Sequence, residues 1–278
     1  KTAERHRAGR EVSQVQRLCL TDTRLSEHNP TDKELEDILN HEDGNLQGYD
    51  CPVCRNRGFI WHIEHGEKST ERCACMQKRA DIARMRKSGL ANLASKCTLK
   101  SFETGEDWQK LMLDTAKAYL ADKERGWLYV AGQTGCGKTH LCTAVAVKML
   151  RAGASTRYVR WGELVQQARA MRFDAEDYSK LLHPLKTCKV LYVDDLLKTQ
   201  GNKQPSEQEY QIAMEIINAR YCDPALLTII STELTLTELF AIDEALAGRI
   251  AERASKYTLQ IAKKAGRNYR LRFAGVQV

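Results

Sequence analysis

The chain has 278 residues, of which 43 are Lys or Arg and 36 are Asp or Glu, and its formal net charge is +7. With 17 Gly, 5 Pro and apolar residues spread along its length, it is neither collagen-like nor largely disordered. No apolar run reaches the ~18 residues that a membrane-spanning helix needs, and the first residues lack the apolar core of a secretory signal. We therefore expect a cytoplasmic protein of one or two domains, without a membrane partner.

The first hundred residues predict short elements. Apolar positions at helical spacing predict a helix over residues 11–20, and a Thr-x-x-Glu capping pattern predicts a second helix from Thr31. A turn at 44–48 precedes a predicted strand at 58–63. Residues 76–94 combine apolar positions with Arg and Lys, which predicts a basic helix.

From about residue 100, short apolar runs alternate with longer helical stretches. The predicted strands are 127–131, 156–160, 190–193, 226–231 and 257–261. The predicted helices are 138–152, 161–171, 174–186, 206–222 and 235–253. Continuous apolar strands separated by helices indicate an α/β fold with a parallel sheet covered on both faces.

A glycine-rich loop follows the first strand of this predicted sheet. Residues 132–139 read G-x-x-x-x-G-K-T and lie between a strand and a helix, as a phosphate-binding loop requires. In such a loop backbone N–H groups and the helix N-terminus bind phosphates, the lysine reaches the outer phosphates and the threonine ligates Mg²⁺. The residues predicted to bind ATP are Gly132, Gln133, Thr134, Gly135, Cys136, Gly137, Lys138, Thr139, His140 and Asp194.

Acidic and hydroxyl side chains follow two other predicted strands. Asp194 is predicted to hold Mg²⁺ together with Thr139, directly or through water. Asp195 is predicted to orient or deprotonate the attacking water. Ser231 and Thr232 end the fourth strand, where the pattern fits a γ-phosphate-sensing side chain or a helix N-cap equally well.

The ten cysteines are unevenly placed. A C-x-x-C pair and a C-x-C pair are separated by 18 residues, and such a cluster in a reduced protein fits tetrahedral Zn²⁺. The predicted zinc ligands are Cys51, Cys54, Cys73 and Cys75. In a second interpretation His62 or His65 replaces Cys73 or Cys75, and in a third the thiols are buried and free.

The charge is also uneven along the chain. Residues 1–71 have 10 basic and 14 acidic side chains, whereas residues 72–100 have 8 basic and one acidic. Basic segments favour a polyanionic partner, and aromatic side chains among them can stack on single-stranded DNA. Besides this basic segment and the basic tail, the candidate DNA contacts are Lys148, Arg151, Arg157, Arg160, Arg169, Arg172, Tyr158, Trp161 and Phe173. The alternative for each of them is a place in the core or on the solvated surface.

With these motifs in place, residues 97–272 resemble the AAA+ ATPases of the DnaC/DnaI type, the bacterial replicative helicase loaders, and the related IstB-type transposition ATPases. The motifs that carry the resemblance are SFE, GQTGCGKTHL, VLYVDD, TIIST and GRIAER. The resemblance implies a P-loop AAA+ (ASCE) core without a C-terminal lid domain, and a slow ATPase activity that assembly or DNA stimulates.

The resemblance also implies site residues. GRIAER is similar to the box from which an arginine reaches a neighbouring subunit's ATP, so that Arg249 or Arg253 is the expected arginine finger. The family usually has Asn after its sensor strand, where this chain has Glu233. Thr232 is therefore the candidate for the sensor role.

The DnaI-type loaders have an N-terminal zinc domain that contacts the helicase, and the segment YDCPVCRNRGFI is similar to its opening. By resemblance, residues 1–80 form a zinc-binding, helicase-binding domain, 81–97 a basic linker and 98–278 the ATPase. The implied partners are a DnaB-type replicative helicase, single-stranded DNA and further copies of the chain, assembled through ATP.

Three other functions share parts of this pattern. An IstB-type ATPase that binds DNA and recruits a transposase has the same core, but the zinc head favours the loader. A small-molecule P-loop kinase is disfavoured by the paired acids and the arginine box. A zinc-dependent adaptor with a vestigial nucleotide site would lack stimulated hydrolysis.

Overall fold

A computed structural model describes residues 30–199, 204–264 and 266–269. The chain divides into two compact units, residues 1–78 and 79–278. The helix predicted at 11–20 lies outside the described residues.

The described part of the first unit contains a helix and a two-stranded antiparallel hairpin. Asn40 of the helix attaches it to the hairpin, since its side chain donates to the Trp61 carbonyl at 2.9 Å and accepts from the Trp61 N–H at 3.0 Å. The second strand was not predicted because all of its residues are polar and exposed, and no alternation marks it. Its elements are α1 (Asp32–His41), β1 (Phe59–Glu64) and β2 (Glu67–Arg72).

The second unit contains a five-stranded parallel sheet in the order β4-β5-β6-β3-β7, which confirms the predicted sheet. Its strands are β3 (Leu128–Gly132), β4 (Thr156–Arg160), β5 (Val190–Asp194), β6 (Leu227–Thr232) and β7 (Thr258–Ile261). Its helices are α3 (Asp107–Ala121), α4 (Lys138–Arg151), α5 (Trp161–Ala170), α6 (Ala175–Thr187), α7 (Glu207–Tyr221), α8 (Leu236–Ile242) and α9 (Glu244–Arg253). A further helix, α2 (Cys75–Ser88), crosses the boundary between the units.

The sheet is buried on both faces. Along β3, Leu128 and Val130 belong to one hydrophobic cluster, while Tyr129 and Ala131 belong to another. Successive side chains of a strand point to opposite faces, so a run that is apolar at every position needs a helical layer on each side. This arrangement brings the ends of β3, β5 and β6 together at one edge of the sheet.

Two helix predictions were wrong in their extent, and one helix was missed. The stretch predicted at 235–253 forms two helices, because Asp243 has an extended backbone and its side chain accepts the N–H of Leu246 to cap α9. The basic helix ends at Ser88 because Gly89 takes a left-handed φ of +81°. Helix α3 was not predicted, since only four of its 15 residues are buried and its apolar stripe is narrow.

Candidate functional site

The glycine-rich loop connects the end of β3 to the start of α4. Gly135 and Gly137 have φ values of +81° and +90°, in the left-handed region that favours glycine. A Cβ on Gly135 would lie 1.9 Å from the Asn268 side chain, so the position also lacks room for a larger residue. The loop borders a cavity of about 250 Å³ that Thr139, Asp195 and other side chains line.

Lys138 is buried beneath the loop, with 5% of its surface exposed. Its Nζ donates to the carbonyls of Gly132 at 2.8 Å and Gln133 at 2.9 Å. Neither acceptor has a formal charge, so these hydrogen bonds leave the positive charge of Lys138 unneutralised. A buried cation of this kind favours an anionic ligand, and the N-terminus of a helix favours phosphate in the same way.

Asp194 ends β5 and is only 3% exposed. Its Oδ1 accepts hydrogen bonds from the hydroxyls of Thr139 at 3.0 Å and Tyr192 at 2.8 Å, and also from that of Ser231. Its Oδ2 accepts from the Tyr158 hydroxyl at 3.2 Å. The carboxylate is therefore held in one orientation beside Thr139, and oxygen ligands in that arrangement suit Mg²⁺.

The hydroxyl groups around Asp194 include two tyrosines that sequence reasoning did not connect with the site. Tyr192 precedes Asp194 by two residues and so lies on the same face of β5, while Tyr158 is its register partner on β4. Burial is the main cause that raises the pKa of both phenols, which keeps them neutral hydrogen-bond donors. The sequence contained one signal for this contact, since a tyrosine two residues before a strand-terminal Asp lies on the same face of the strand.

Asp195 begins the loop after β5 with a φ of +57°. Its N–H donates to the Ser231 hydroxyl at 3.1 Å, and its carboxylate lies 3.3 Å from the Lys198 Nζ. The same Nζ lies 2.8 Å from Oε1 of Glu233, which also accepts a hydrogen bond from the Thr134 hydroxyl. Burial opposes the ionised form of Glu233, but the hydrogen bonds from Lys198 and Thr134 outweigh it and lower its pKa.

Thr232 does not face the cavity. It is 1% exposed, and its hydroxyl donates to the Leu196 carbonyl at 2.8 Å and accepts from the Leu234 N–H at 3.1 Å. Both hydrogen-bonding roles of the hydroxyl are thus used in joining the ends of two strands. The geometry argues against a sensor role for Thr232, and Glu233 is the residue after β6 that contacts the phosphate-binding loop.

The far side of the loop has aromatic neighbours. The Phe102 and His140 rings pack edge to face with centroids 5.4 Å apart, and the His140 Nε2 lies 2.9 Å from the Thr98 carbonyl oxygen. Cys136 is buried, and burial raises the pKa of its thiol. The Tyr269 N–H donates to the Gly135 carbonyl at 3.0 Å, so that residues after β7 also border the loop.

Arg249 and Arg253 lie one turn apart on α9 but have different surroundings. Arg253 Nη2 lies within 3.3 Å of three backbone carbonyls in the turn before β6, and its guanidinium stacks over Trp127 at 5.5 Å. Arg249 donates to the Ala245 carbonyl one turn earlier and lies 5.7 Å from the Tyr221 ring centroid. Neither arginine lines the nucleotide cavity of its own chain.

The aromatic candidates for DNA stacking have three different environments. Trp161 is 1% exposed and belongs to the core, which is the alternative to DNA stacking, so its ring is not available to a base. Tyr158 is half-buried, and its hydroxyl donates to Oδ2 of Asp194, which gives it a role in the nucleotide site. Phe173 is 87% exposed, with the Arg172 guanidinium 4.3 Å from its ring centroid.

The basic side chains proposed to contact DNA differ in whether they already bond to other residues of the chain. Arg160 pairs with Glu163 at 3.0 Å, and Arg169 pairs with Glu209 at 3.4 Å. Arg157 donates to the Lys87 carbonyl. Lys148 and Arg151 are exposed in the last turn of α4.

The four predicted zinc ligands meet in the core of the first unit. Cys51, Cys54, Cys73 and Cys75 are all buried, and their sulfur atoms lie within 4.8 Å of one another. Two of the separations are 3.9 Å and 3.4 Å, close to the about 3.8 Å that Zn–S bonds of 2.3 Å require in a tetrahedron. The donor set therefore fits Zn²⁺.

The electrostatics of Cys54 suit a metal ligand. Burial opposes its thiolate, but the Gly58 N–H at 3.3 Å and the neighbouring thiols lower its pKa to about 6. The histidines lie outside this cluster. His62 is placed on β1 between Glu36 and Glu71, and His65 is in the hairpin turn with a φ of +54°, so that in the described residues the cysteines alone form the cluster.

The family model described as "IstB-like ATP binding protein" matches residues 58–274, which is well over half of the chain. The chain belongs to this family. Its IstB-like core is an AAA+ ATPase that binds ATP, as the resemblance of the motifs implied. The glycine-rich loop, Lys138 and Asp194 all lie within the matched residues.

Two curated relatives are similar to this IstB-like chain. The phage-like element PBSX protein XkdC of Bacillus subtilis (strain 168) is 30% identical over 82% of this chain and 88% of its own length. The replicative helicase loader DnaC of Buchnera aphidicola subsp. Schizaphis graminum is 24% identical over 58% of this chain and 66% of its own.

Among solved structures, the replication initiator DnaA bound to AMPPCP and single-stranded DNA matches with a TM-score of 0.50. It is 20% identical and covers 61% of this chain and 50% of the initiator chain, a likeness of fold alone. Within the part of the chain that the structure describes, no helix is both long enough and apolar enough to span a membrane.

Proposed function

We propose that this IstB-like ATPase is a cytoplasmic DNA replication protein that binds the replicative helicase and loads it onto single-stranded DNA. The observation that carries the proposal is the four-cysteine cluster in a compact unit of its own, attached to the ATPase. The similarity to a DnaC loader supports the same function.

In this proposal the two units have separate tasks. The first unit binds Zn²⁺ through its four cysteines, and the metal stabilises a unit whose hydrophobic core is small. Residues 1–71 have a net charge of −4, from 10 basic and 14 acidic side chains, which favours a protein partner over DNA. The first unit therefore binds the helicase, and basic residues of the second unit bind single-stranded DNA.

Different residues of the nucleotide site serve the binding of ATP and its hydrolysis. Lys138 and the loop N–H groups bind the phosphates of ATP, while Thr139 and Asp194 hold Mg²⁺, which neutralises charge on the phosphates. Asp195 orients the attacking water at the cavity wall. These assignments are supported by the 3.0 Å Thr139–Asp194 hydrogen bond and by the position of Asp195 on the same cavity.

A neighbouring copy of the chain completes the site in this proposal. Arg249 is the better candidate for the arginine that reaches across, because Arg253 already bonds three carbonyls of its own chain. An arginine supplied in trans stabilises charge on the transferred phosphoryl group. ATP then acts as a switch for assembly, and hydrolysis releases the loader.

The test is native mass spectrometry of the full-length protein with the host's replicative helicase and single-stranded DNA, with and without ATP. We expect a complex that contains all three and that requires ATP. The Cys54→Ser/Cys75→Ser variant should lose helicase binding but keep ATP binding, whereas Cys222→Ser, which alters an exposed cysteine, should behave as wild type. Helicase binding that survives loss of the cluster would contradict the proposal.

The second candidate function is an IstB-type transposition ATPase, which the family match favours. It predicts ATP-dependent filaments on duplex DNA and binding to a transposase, without a helicase complex. Electron microscopy of the protein on duplex and single-stranded DNA, in the presence of ATP, distinguishes the two functions.

A further inference from the structure

Lys198 connects the phosphate-binding loop with Asp195. Its Nζ lies between two carboxylates, 3.3 Å from Oδ2 of Asp195 and 2.8 Å from Oε1 of Glu233. Glu233 in turn accepts a hydrogen bond from the hydroxyl of Thr134, which belongs to the loop. A continuous chain of polar contacts therefore runs from the loop through Lys198 to the residue assigned to water positioning.

The ion pairs of Lys198 with Asp195 and Glu233 can be replaced by a contact with a bound ligand. The Lys198 side chain is 34% exposed, and those of Asp195 and Glu233 are each 32% exposed. Partly solvated ion pairs contribute little stability, so a more highly charged partner can replace them. A triphosphate on the loop is such a partner, and lysine is a common phosphate ligand.

Lys198 differs from the other cations of the cavity wall. Lys138 is held by two uncharged carbonyls, and Arg267 donates to the Ala262 carbonyl and stacks on Trp108 at 5.4 Å. Among the described residues that line the cavity, Lys198 is the cation that is paired with carboxylates. Through these two ion pairs, a change of charge at the phosphate-binding loop can alter the contact between Lys198 and Asp195.

We propose that Lys198 and Glu233 form the switch by which this site distinguishes ATP from ADP. In the free protein the Lys198 ammonium group is paired with the Asp195 carboxylate. When ATP binds, Lys198 moves to the terminal phosphate and Asp195 is released to hold the attacking water. Glu233 keeps the lysine near the loop in both states. The inference rests on the proposed water-positioning role of Asp195, and Lys198 and Glu233 are positioning residues for it.

The test compares nucleotide affinity with turnover in full-length variants. Lys198→Ala should bind ADP within about twofold of wild type but lose about tenfold in its preference for ATP over ADP, because one charge-assisted contact to the terminal phosphate is missing. Its kcat should also fall by about tenfold. Lys198→Arg retains the charge and should recover most of the ATP preference.

Glu233→Gln should act on turnover alone. The amide can still accept from Thr134, but it no longer draws Lys198 away from Asp195, so kcat should fall while the affinity for ADP stays unchanged. Lys180→Ala is the matched control, since that lysine pairs with two carboxylates on α6, away from the cavity. An unchanged melting temperature shows that each variant is folded.

Two outcomes separate this inference from the function on which it rests. If Lys198→Ala retains both the ATP preference and the turnover of wild type, the switch is wrong even if the protein hydrolyses ATP through Asp195. If Asp195→Asn leaves turnover intact, the water-positioning assignment fails. In that case a lost ATP preference in Lys198→Ala still supports phosphate sensing by the lysine, but its coupling to Asp195 is overturned.

Discussion

The hydroxyl of Thr139 donates a 3.0 Å hydrogen bond to Oδ1 of Asp194, although the two residues are 55 positions apart in the chain. Thr139 is in the first turn of α4 and Asp194 is the last residue of β5. Both lie at the edge of the sheet where the parallel strands end, which is where ligands bind in open α/β sheets. The oxygen ligands proposed for Mg²⁺ are therefore adjacent.

This adjacency predicts the effect of removing one hydroxyl. Thr139→Ala should raise the KM for Mg-ATP and lower kcat, each by about tenfold, because a metal ligand is lost. Thr139→Ser keeps the hydroxyl and should remain near wild type. The measurement is steady-state hydrolysis as a function of Mg²⁺ concentration. An unaltered Mg²⁺ dependence in Thr139→Ala would exclude the hydroxyl as a ligand.

The two arginines of α9 should separate into a structural and a functional residue. Arg253→Ala removes contacts to three carbonyls and a stacking contact with Trp127, and should lower the free energy of unfolding by about 1–3 kcal/mol. Arg249→Ala should leave stability unchanged but reduce hydrolysis in the assembled protein by at least about a thousandfold. Chemical denaturation and turnover at high protein concentration provide the two measurements.

The arginine assignment has a clear opposite outcome. If Arg253→Ala is as stable as wild type and loses hydrolysis, while Arg249→Ala hydrolyses ATP normally, the roles are exchanged. Mixing Arg249→Ala with Lys138→Ala subunits adds a further check. A residue that acts in trans should give mixed assemblies that regain part of the activity, because some interfaces combine an intact loop with an intact arginine.

The cysteine cluster should bind about one zinc ion per chain. Cys54→Ser should lose the metal, because it removes one of the four buried thiols of the cluster. This thiol also accepts the hydrogen bond of the Gly58 N–H. We expect faster hydrogen exchange across residues 30–78 and unchanged exchange in the sheet of the second unit, since the metal stabilises only the unit that binds it. Elemental analysis and exchange mass spectrometry test this, and zinc retained by Cys54→Ser at wild-type stoichiometry would exclude Cys54 as a ligand.

Asp122 should make stability depend on pH in acid. The hydrogen bonds from Lys256 and Tyr257 lower its pKa to about 2 from the ordinary 3.8. A carboxyl with a depressed pKa in the folded state stabilises the protein above its unfolded pKa, and this contribution is lost as the pH falls through the folded value. The urea midpoint of wild type should therefore exceed that of Asp122→Asn at neutral pH.

The difference between these two midpoints should shrink as the pH is lowered from about 4 towards about 2, where the carboxyl becomes protonated in both states. Asp114→Asn, which alters an exposed carboxylate of α3, serves as the control. A difference that stays constant over this range would mean that Asp122 acts through packing and not through its charge.

The sequence alone determined the ATPase core. Five apolar runs separated by helical stretches predicted the parallel sheet, because a strand buried on both faces is apolar at every position. The glycine loop, Lys138, Thr139 and the strand-terminal Asp194 were predictable since the spacing of a phosphate-binding loop is local in the chain. The cysteine cluster was predicted from the same kind of spacing, and the structure brings its four thiols together.

The tertiary structure alone decided which side chains meet across the sheet. Tyr158 and Ser231 contact Asp194 from other strands, and Glu233 contacts Lys198 and Thr134 from a third segment. These contacts depend on strand order and register, which one sequence does not encode as a local pattern. The exclusion of Thr232 from the cavity has the same origin, because its hydroxyl is used by the backbone of two neighbouring segments. Spacing along the chain thus specifies the phosphate-binding loop and the cysteine cluster, while the long-range packing of parallel strands selects the residues that surround the loop.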